Sequence, residues 1–186
     1  MAKTVFPFDK TSRDPPFANP LLFDYFYHVK NASEPHTVKE ALAKLMRFCV
    51  YRERCHKEVR EKLWKLHIDP QEQDYIIARL IAENYLNEER FAKTFVRDKF
   101  HLKKWGRFRL KSELQRREIS AYLIKKAIDQ IDEADYKNTF RQVLEKRLRS
   151  ISATHPLKIK KKVTDHLLRK GYEADMIYKA LDELEG

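Results

Sequence analysis

Glycine is nearly absent from this chain: Gly106, Gly171 and Gly186 are the only three among 186 residues. So little glycine leaves few turn signals for strands, while abundant Lys, Glu, Leu and Arg favour helices. Neither the Walker-type glycine loop nor the dinucleotide fingerprint occurs, which excludes the phosphate cradles of the common nucleotide-binding folds. Cysteine is scarce too. Cys49 and Cys55 are too few for a disulfide framework and point to a reducing cytosol. With His56 they match no zinc spacing, and no fourth ligand is evident, so neither a metal nor another cofactor is expected. His36, His101, His155 and His166 are scattered with no nucleophile motif near them; no catalytic residue is expected, and the chain reads as a non-enzyme. No stretch reaches the roughly 20 apolar residues of a membrane span, and the N-terminus lacks a signal peptide's apolar core. The expected location is the cytoplasm.

Beyond residue 35 only Pro70 and Pro156 remain of seven prolines; Pro7, Pro15, Pro16, Pro20 and Pro35 crowd the start. They forbid a long helix there, so residues 1–36 are expected to form a flexible, Pro- and aromatic-rich arm. Its aromatics (Phe6, Phe8, Phe17, Phe23, Tyr25, Phe26 and Tyr27) keep open a second reading, an arm that docks on the body or on a partner.

What is present is one helical pattern written three times at intervals of about fifty residues. Val59, Leu63 and Ile68 recur as Leu110, Leu114 and Ile119, then as Val163, Leu167 and Tyr172, always at offsets of four and then five. A second helical run follows each copy: Ile76, Ile77 and Leu80; then Leu123, Ile124, Ala127, Ile128 and Ile131; then Met176, Ile177, Ala180, Leu181 and Leu184. Start signals divide the rest. Thr37 with Glu40 reads as a capping box ahead of Val38, Ala41, Leu42, Leu45, Met46 and Cys49 on one face. Asp69 before Pro70, Asn87 and Ser120 read as N-caps, and Trp105-Gly106 interrupts a helix carrying Phe91, Ala92, Phe95 and Val96. Asp135 is expected to open the last unit, where Phe140, Val143, Leu144 and Leu148 line one side. Thr154-His155-Pro156 breaks the chain, and Gly171 suits a left-handed helix terminus. The fold class is therefore all-α: three tandem three-helix repeats, residues 37–86, 87–133 and 134–186, forming an elongated, curved array. Each repeat relies on its neighbours to cover its apolar face.

Acids are missing where bases are dense. The net charge is +11, and between Arg97 and Arg117 only Asp98 and Glu113 oppose nine bases. A second basic stretch runs from Arg141 to Lys170, whereas Gly171 to Gly186 carries five acids and one lysine. Clusters in corresponding places of adjacent repeats point to a polyanion-binding face, tight but salt-sensitive and with little base discrimination. Its candidate residues are Lys103, Lys104, Arg107, Arg109, Lys111, Arg116, Arg117, Lys158, Lys160, Lys161, Lys162 and Arg169. Trp105, beside a glycine at a helix junction, reads as a packing wedge rather than a base-stacking platform. Copy one reads as mainly structural, with Trp64 and Leu66 adding apolar bulk.

The run Asn84-Tyr85-Leu86-Asn87-Glu88-Glu89-Arg90-Phe91-Ala92, followed by Lys104-Trp105-Gly106-Arg107, resembles the RecX family. Leu110 to Ile119 is similar to that family's next helix, and Leu168-Arg169-Lys170-Gly171-Tyr172 to its closing motif. The resemblance covers about residues 38 to 184. Asn84 stands where the family has glycine, and His67 and Glu118 replace its helix-ending glycine in copies one and two; these departures bear on local turn geometry. What the resemblance implies is a small all-α regulator of homologous recombination, DNA repair and the SOS response. Such proteins bind along the groove of the RecA–DNA filament and reduce strand exchange, ATP hydrolysis and coprotease activity. The implied partner is the RecA–DNA filament; the charge clusters add single- and double-stranded DNA, bound largely without sequence preference, and a monomer is the simplest expectation. The competing expectations are an independent DNA-binding protein or transcriptional regulator with helix-turn-helix-like units, and a helical scaffold for an acidic protein surface.

Overall fold

A computed structural model of the chain describes residues 37–152 and 155–184. The expected arm, residues 1–36, lies outside them. The described residues form nine α-helices and no strand. The first unit holds α1 (Val38–Tyr51), α2 (His56–Lys65) and α3 (Pro70–Ala82); the second holds α4 (Glu88–Lys103), α5 (Arg107–Gln115) and α6 (Ala121–Ile128). The third holds α7 (Glu133–Arg149), α8 (Pro156–Lys170) and α9 (Ala174–Asp182).

Local chemistry starts these helices as the sequence suggests. Thr37 and Glu40 exchange both bonds of a capping box, and Asp69, Asn87 and Ser120 accept from the N–H groups of Gln71, Arg90 and Leu123. One start differs. The cap of α7 is Asp132, whose carboxylate accepts from Asp135 N at 2.9 Å. Asp135 is thus the third helical residue, where an acid still favours the positive end of the helix dipole.

The offset of four and then five has a simple cause. In each copy the residue four places after the central leucine takes the left-handed conformation: His67 at φ 55°, Glu118 at 62° and Gly171 at 90°. The next N–H then reaches back to that leucine's carbonyl, Ile68 to Leu63, Ile119 to Leu114 and Tyr172 to Leu167, at 3.4, 3.2 and 3.2 Å. This is the six-to-one bond of a Schellman terminus, which brings the residue after the left-handed one over the leucine it bonds. All nine apolar positions of the pattern are buried. Losing glycine in copies one and two therefore leaves the turn intact, and Asn84, at φ 59°, ends α3 in the same way.

The three units do not share one core. The first encloses its own, built from Ala41, Leu45, Val59, Leu63, Ile76, Leu80 and Leu86. The second and third share a single core running from Phe91, Val96 and Phe100 through Leu110 and Leu114 to Tyr136, Phe140, Leu167, Tyr172 and Ile177. Between units one and two the joint is mostly polar, although the buried Cys55 of unit one packs into the shared core. Arg90 binds Glu53 at 2.6 Å and both Asn84 oxygens at 3.0 Å, His56 N donates to Glu88 at 3.3 Å, and Lys57 binds Glu118 at 2.9 Å. The run from Asn84 to Ala92 is thus a structural hinge-piece: a left-handed turn, a buried Leu86, a cap, an arginine clamp and two core residues. Trp64 departs from expectation. It is 74 % exposed, because it follows the buried Leu63 by one residue and so points about 100° round the helix, away from the core.

Candidate nucleic-acid interface

The start of α5 carries no side-chain cap of its own, because the end of α8 satisfies it. Gly106 N donates to Lys170 O at 2.8 Å and Phe108 N to Gly171 O at 3.0 Å, while Arg107 N donates to the Tyr136 hydroxyl at 3.1 Å. Positive and negative helix ends therefore meet through backbone bonds. Two of the chain's three glycines lie at this crossing, and a Cβ on Gly106 would collide with the Gly171 backbone. Tyr172 donates to Lys104 O at 3.2 Å, and the Lys170 ammonium donates to Lys103 O at 2.9 Å. This clasp fixes the end of α4 against the end of α8.

The consequence is electrostatic. Basic residues occupy the last turns of α4, α7 and α8, where each favours its own helix dipole. The fold brings those turns together around a groove of about 550 Å³, lined by Leu102, Lys103, Lys104, Gln142, Val143, Lys146, Arg147, Ser150, His166 and Lys170. Among the described residues no carboxylate lines it. Burial, then Arg109, Lys146 and Lys103, lower the Lys170 pKa; burial, then Arg147, Lys170 and Arg169, lower that of His166. In both, the neighbouring cations add to burial in disfavouring the charged form.

The twelve bases singled out in the sequence are not equivalent. Lys103 and Lys104 line the groove, and Arg169 lies close enough to act on His166. Arg107 is tied inward: it binds Glu133 at 2.6 Å, reaches Glu173 at 3.9 Å and stacks 4.0 Å above the Tyr136 ring. Arg109 lies 4.2 Å over Trp105 and donates to Arg169 O at 3.0 Å. Arg116 and Arg117 both bind Glu113, at 3.1 and 2.9 Å. Lys111 is exposed beside a separate apolar depression floored by Ile119, Ile124 and Ile128. Lys158, Lys161 and Lys162 are exposed on the first half of α8, and Lys160 binds Asp182 at 3.0 Å. Trp105 is half-buried against Phe95 at 6.3 Å, the packing wedge its sequence setting suggests. Sequence reasoning missed Lys146, Arg147, His166 and Lys170. Their signal was a run of basic residues closing each of three helices, which reads as ordinary capping until the helix ends are known to meet.

Against known proteins, residues 41–80, 87–128 and 133–181 match the family models for the first, second and third three-helix domains of RecX. The chain is 26 % identical over 148 residues to the regulatory protein RecX of Bacillus cytotoxicus, covering 80 % of this chain and 55 % of that one. It is 26 % identical over 149 residues to that of Oceanobacillus iheyensis, with the same coverages of 80 % and 55 %. The chain thus spans just over half the length of these curated relatives. Among solved structures, a crystal structure of regulatory protein RecX superposes with a TM-score of 0.72 at 16 % identity, covering 78 % of this chain and 73 % of that one. RecX from Lactobacillus salivarius superposes with 0.70 at 23 % identity, covering 80 % and 96 %. These two share the fold. Because the three domain matches run in order along most of its length, the chain belongs to the RecX family.

Proposed function

We propose that this chain is a cytoplasmic, monomeric and non-enzymatic regulator of the RecA recombinase, which engages the RecA–DNA filament through its second and third units and lowers recombinase, ATPase and coprotease activity. The observation that carries the reading is the acid-free groove where α4, α7 and α8 end, set in a chain of RecX-family architecture. Lysine and arginine side chains in such a groove attract backbone phosphates through counterion release, which suits a filament that presents the same backbone at every step. The exposed Lys158, Lys161 and Lys162 on α8 extend the positive surface beyond the groove. Single- and double-stranded DNA are both suitable ligands, since phosphate contacts carry no base information.

The test is a RecA ATPase assay on single-stranded DNA with this protein titrated in. Inhibition that weakens when Lys103, Lys104 and Lys146 are changed to Glu, with the helical CD spectrum kept, supports the assignment. Arg107 and Arg109 are poor choices for charge reversal, because both hold the clasp together. Full inhibition by the folded triple variant sinks this contact face. Sequence-dependent binding to duplex DNA without RecA supports the independent DNA-binding reading instead.

A further inference from the structure

Two groups in the groove are not explained by packing. His166 on α8 is half-buried beside Arg147 and among cations from three helices: Lys103 and Lys104 of α4, Lys146 and Arg147 of α7, and Arg169 and Lys170 of α8. Arg147 uses one terminal nitrogen on Ser150 Oγ at 3.4 Å, yet its buried Nε meets no acceptor among the described residues. A buried charged donor without a partner is costly, and no carboxylate of the groove is there to meet it. The side chains of Arg147 and His166 both line the groove. Cations from three helices lining one groove favour an anionic oxygen from outside the chain, one able to accept from both a guanidinium and an imidazolium.

We propose that the groove is a seat for a backbone phosphodiester of nucleic acid, accepted jointly by Arg147 and by protonated His166, so that binding takes up a proton. This rests on the filament reading above and adds its regulation. Burial disfavours the imidazolium first, and Arg147, Lys170 and Arg169 disfavour it further, so the chain by itself favours the neutral imidazole. A seated phosphodiester reverses the sign of the nearest charge and favours the imidazolium. Linkage then requires affinity to rise as pH falls, by at most about tenfold per pH unit for a single proton. Histidine is the side chain whose ordinary pKa lies nearest neutrality, which makes His166 the group to follow there. A phosphodiester has no proton to exchange in that range, so the linkage belongs to the protein.

The experiment uses the full chain and a short oligothymidine with a 5′-hydroxyl end. His166 is followed by NMR through its ring C–H signal, assigned by its loss in His166→Gln. The expected result is that His166 titrates at higher pH with the oligonucleotide bound. Binding should be several-fold tighter at about pH 6 than at about pH 8, and His166→Gln should flatten that difference. Arg147→Met should weaken binding several-fold; exposed Lys146→Ala, which leaves the packing alone, serves as the second variant. An unshifted His166 with oligonucleotide bound overturns the seat, as does an unchanged pH slope in His166→Gln. Inorganic tripolyphosphate shifting His166 while the oligonucleotide does not reassigns the groove to a free anion and overturns the nucleic-acid source. Polyglutamate alone shifting it overturns the phosphate chemistry. The RecA reading fails separately, when wild-type chain leaves the ATPase untouched although the His166 shift stands.

Discussion

Replacing Gly106 by alanine sets two rules against each other. The Gly106 backbone, at φ −78° and ψ 167°, is open to any residue. On chain entropy alone, alanine there should stabilise the protein by about 0.4–1 kcal/mol. The tertiary contact predicts the opposite. The new Cβ would fall within 2.5 Å of Tyr172 N and closer still to the Gly171 carbonyl, all backbone atoms that cannot swing away. Relief requires α5 and α8 to separate, which stretches the bonds from Gly106 N to Lys170 O and from Phe108 N to Gly171 O. Two such bonds are worth about 1 kcal/mol each, and overpacking adds about 1–3, for a loss of about 3–5 kcal/mol. Urea unfolding followed by far-UV CD reads the stability. Oligonucleotide affinity reads the function, because separating these ends also draws Lys103 and Lys104 away from Lys170. A Gly106→Ala variant as stable as wild type, or more so, would refute the close-packed clasp and with it the origin of the groove.

Three further outcomes are expected. His67→Gly should stabilise the chain by about 1 kcal/mol, since a left-handed histidine is strained where glycine is not; Glu118→Gly should gain less, because it surrenders the bond to Lys57, and both are read from denaturation midpoints. Glu89 is hydrogen-bonded by Lys126 and Lys93, which hold its carboxyl down at about 2 against an ordinary 4.5. Its contribution is present above 4.5 and lost as pH falls towards 2, so the acid-induced drop in melting temperature should be shallower in Glu89→Gln; an identical acid limb would contradict this. Removing Lys103 or Lys146 should reduce the slope of log affinity against log salt by about 0.7 each on single-stranded DNA, and unchanged slopes would exclude both from phosphate contact.

Much of this molecule was legible along the chain because the interactions responsible span six residues or fewer. The spacing of Val59, Leu63 and Ile68 and of its two copies records a helical face closed by a Schellman bond. Thr37, Asp69, Asn87 and Ser120 are caps that act within three residues of themselves. Such features survive in sequence as period and residue type, and they determined the helices, their number per repeat and the apolar face of each. Local signals were ambiguous only where two neighbours offered the same chemistry, as Asp132 and Asp135 do.

The tertiary structure alone decided which equal-looking bases are committed and which face open space. Arg107 and Lys104 are three residues apart, yet one is bound to Glu133 while the other lines a groove free of acids. It also decided that units two and three share a core while unit one joins them through ion pairs and the single buried Cys55, a distinction no repeat pattern carries. The reason is that charge acts through space. Lys103, Lys146 and Lys170 belong to three helices, and their potentials add only because Gly106 and Gly171 let two backbones touch.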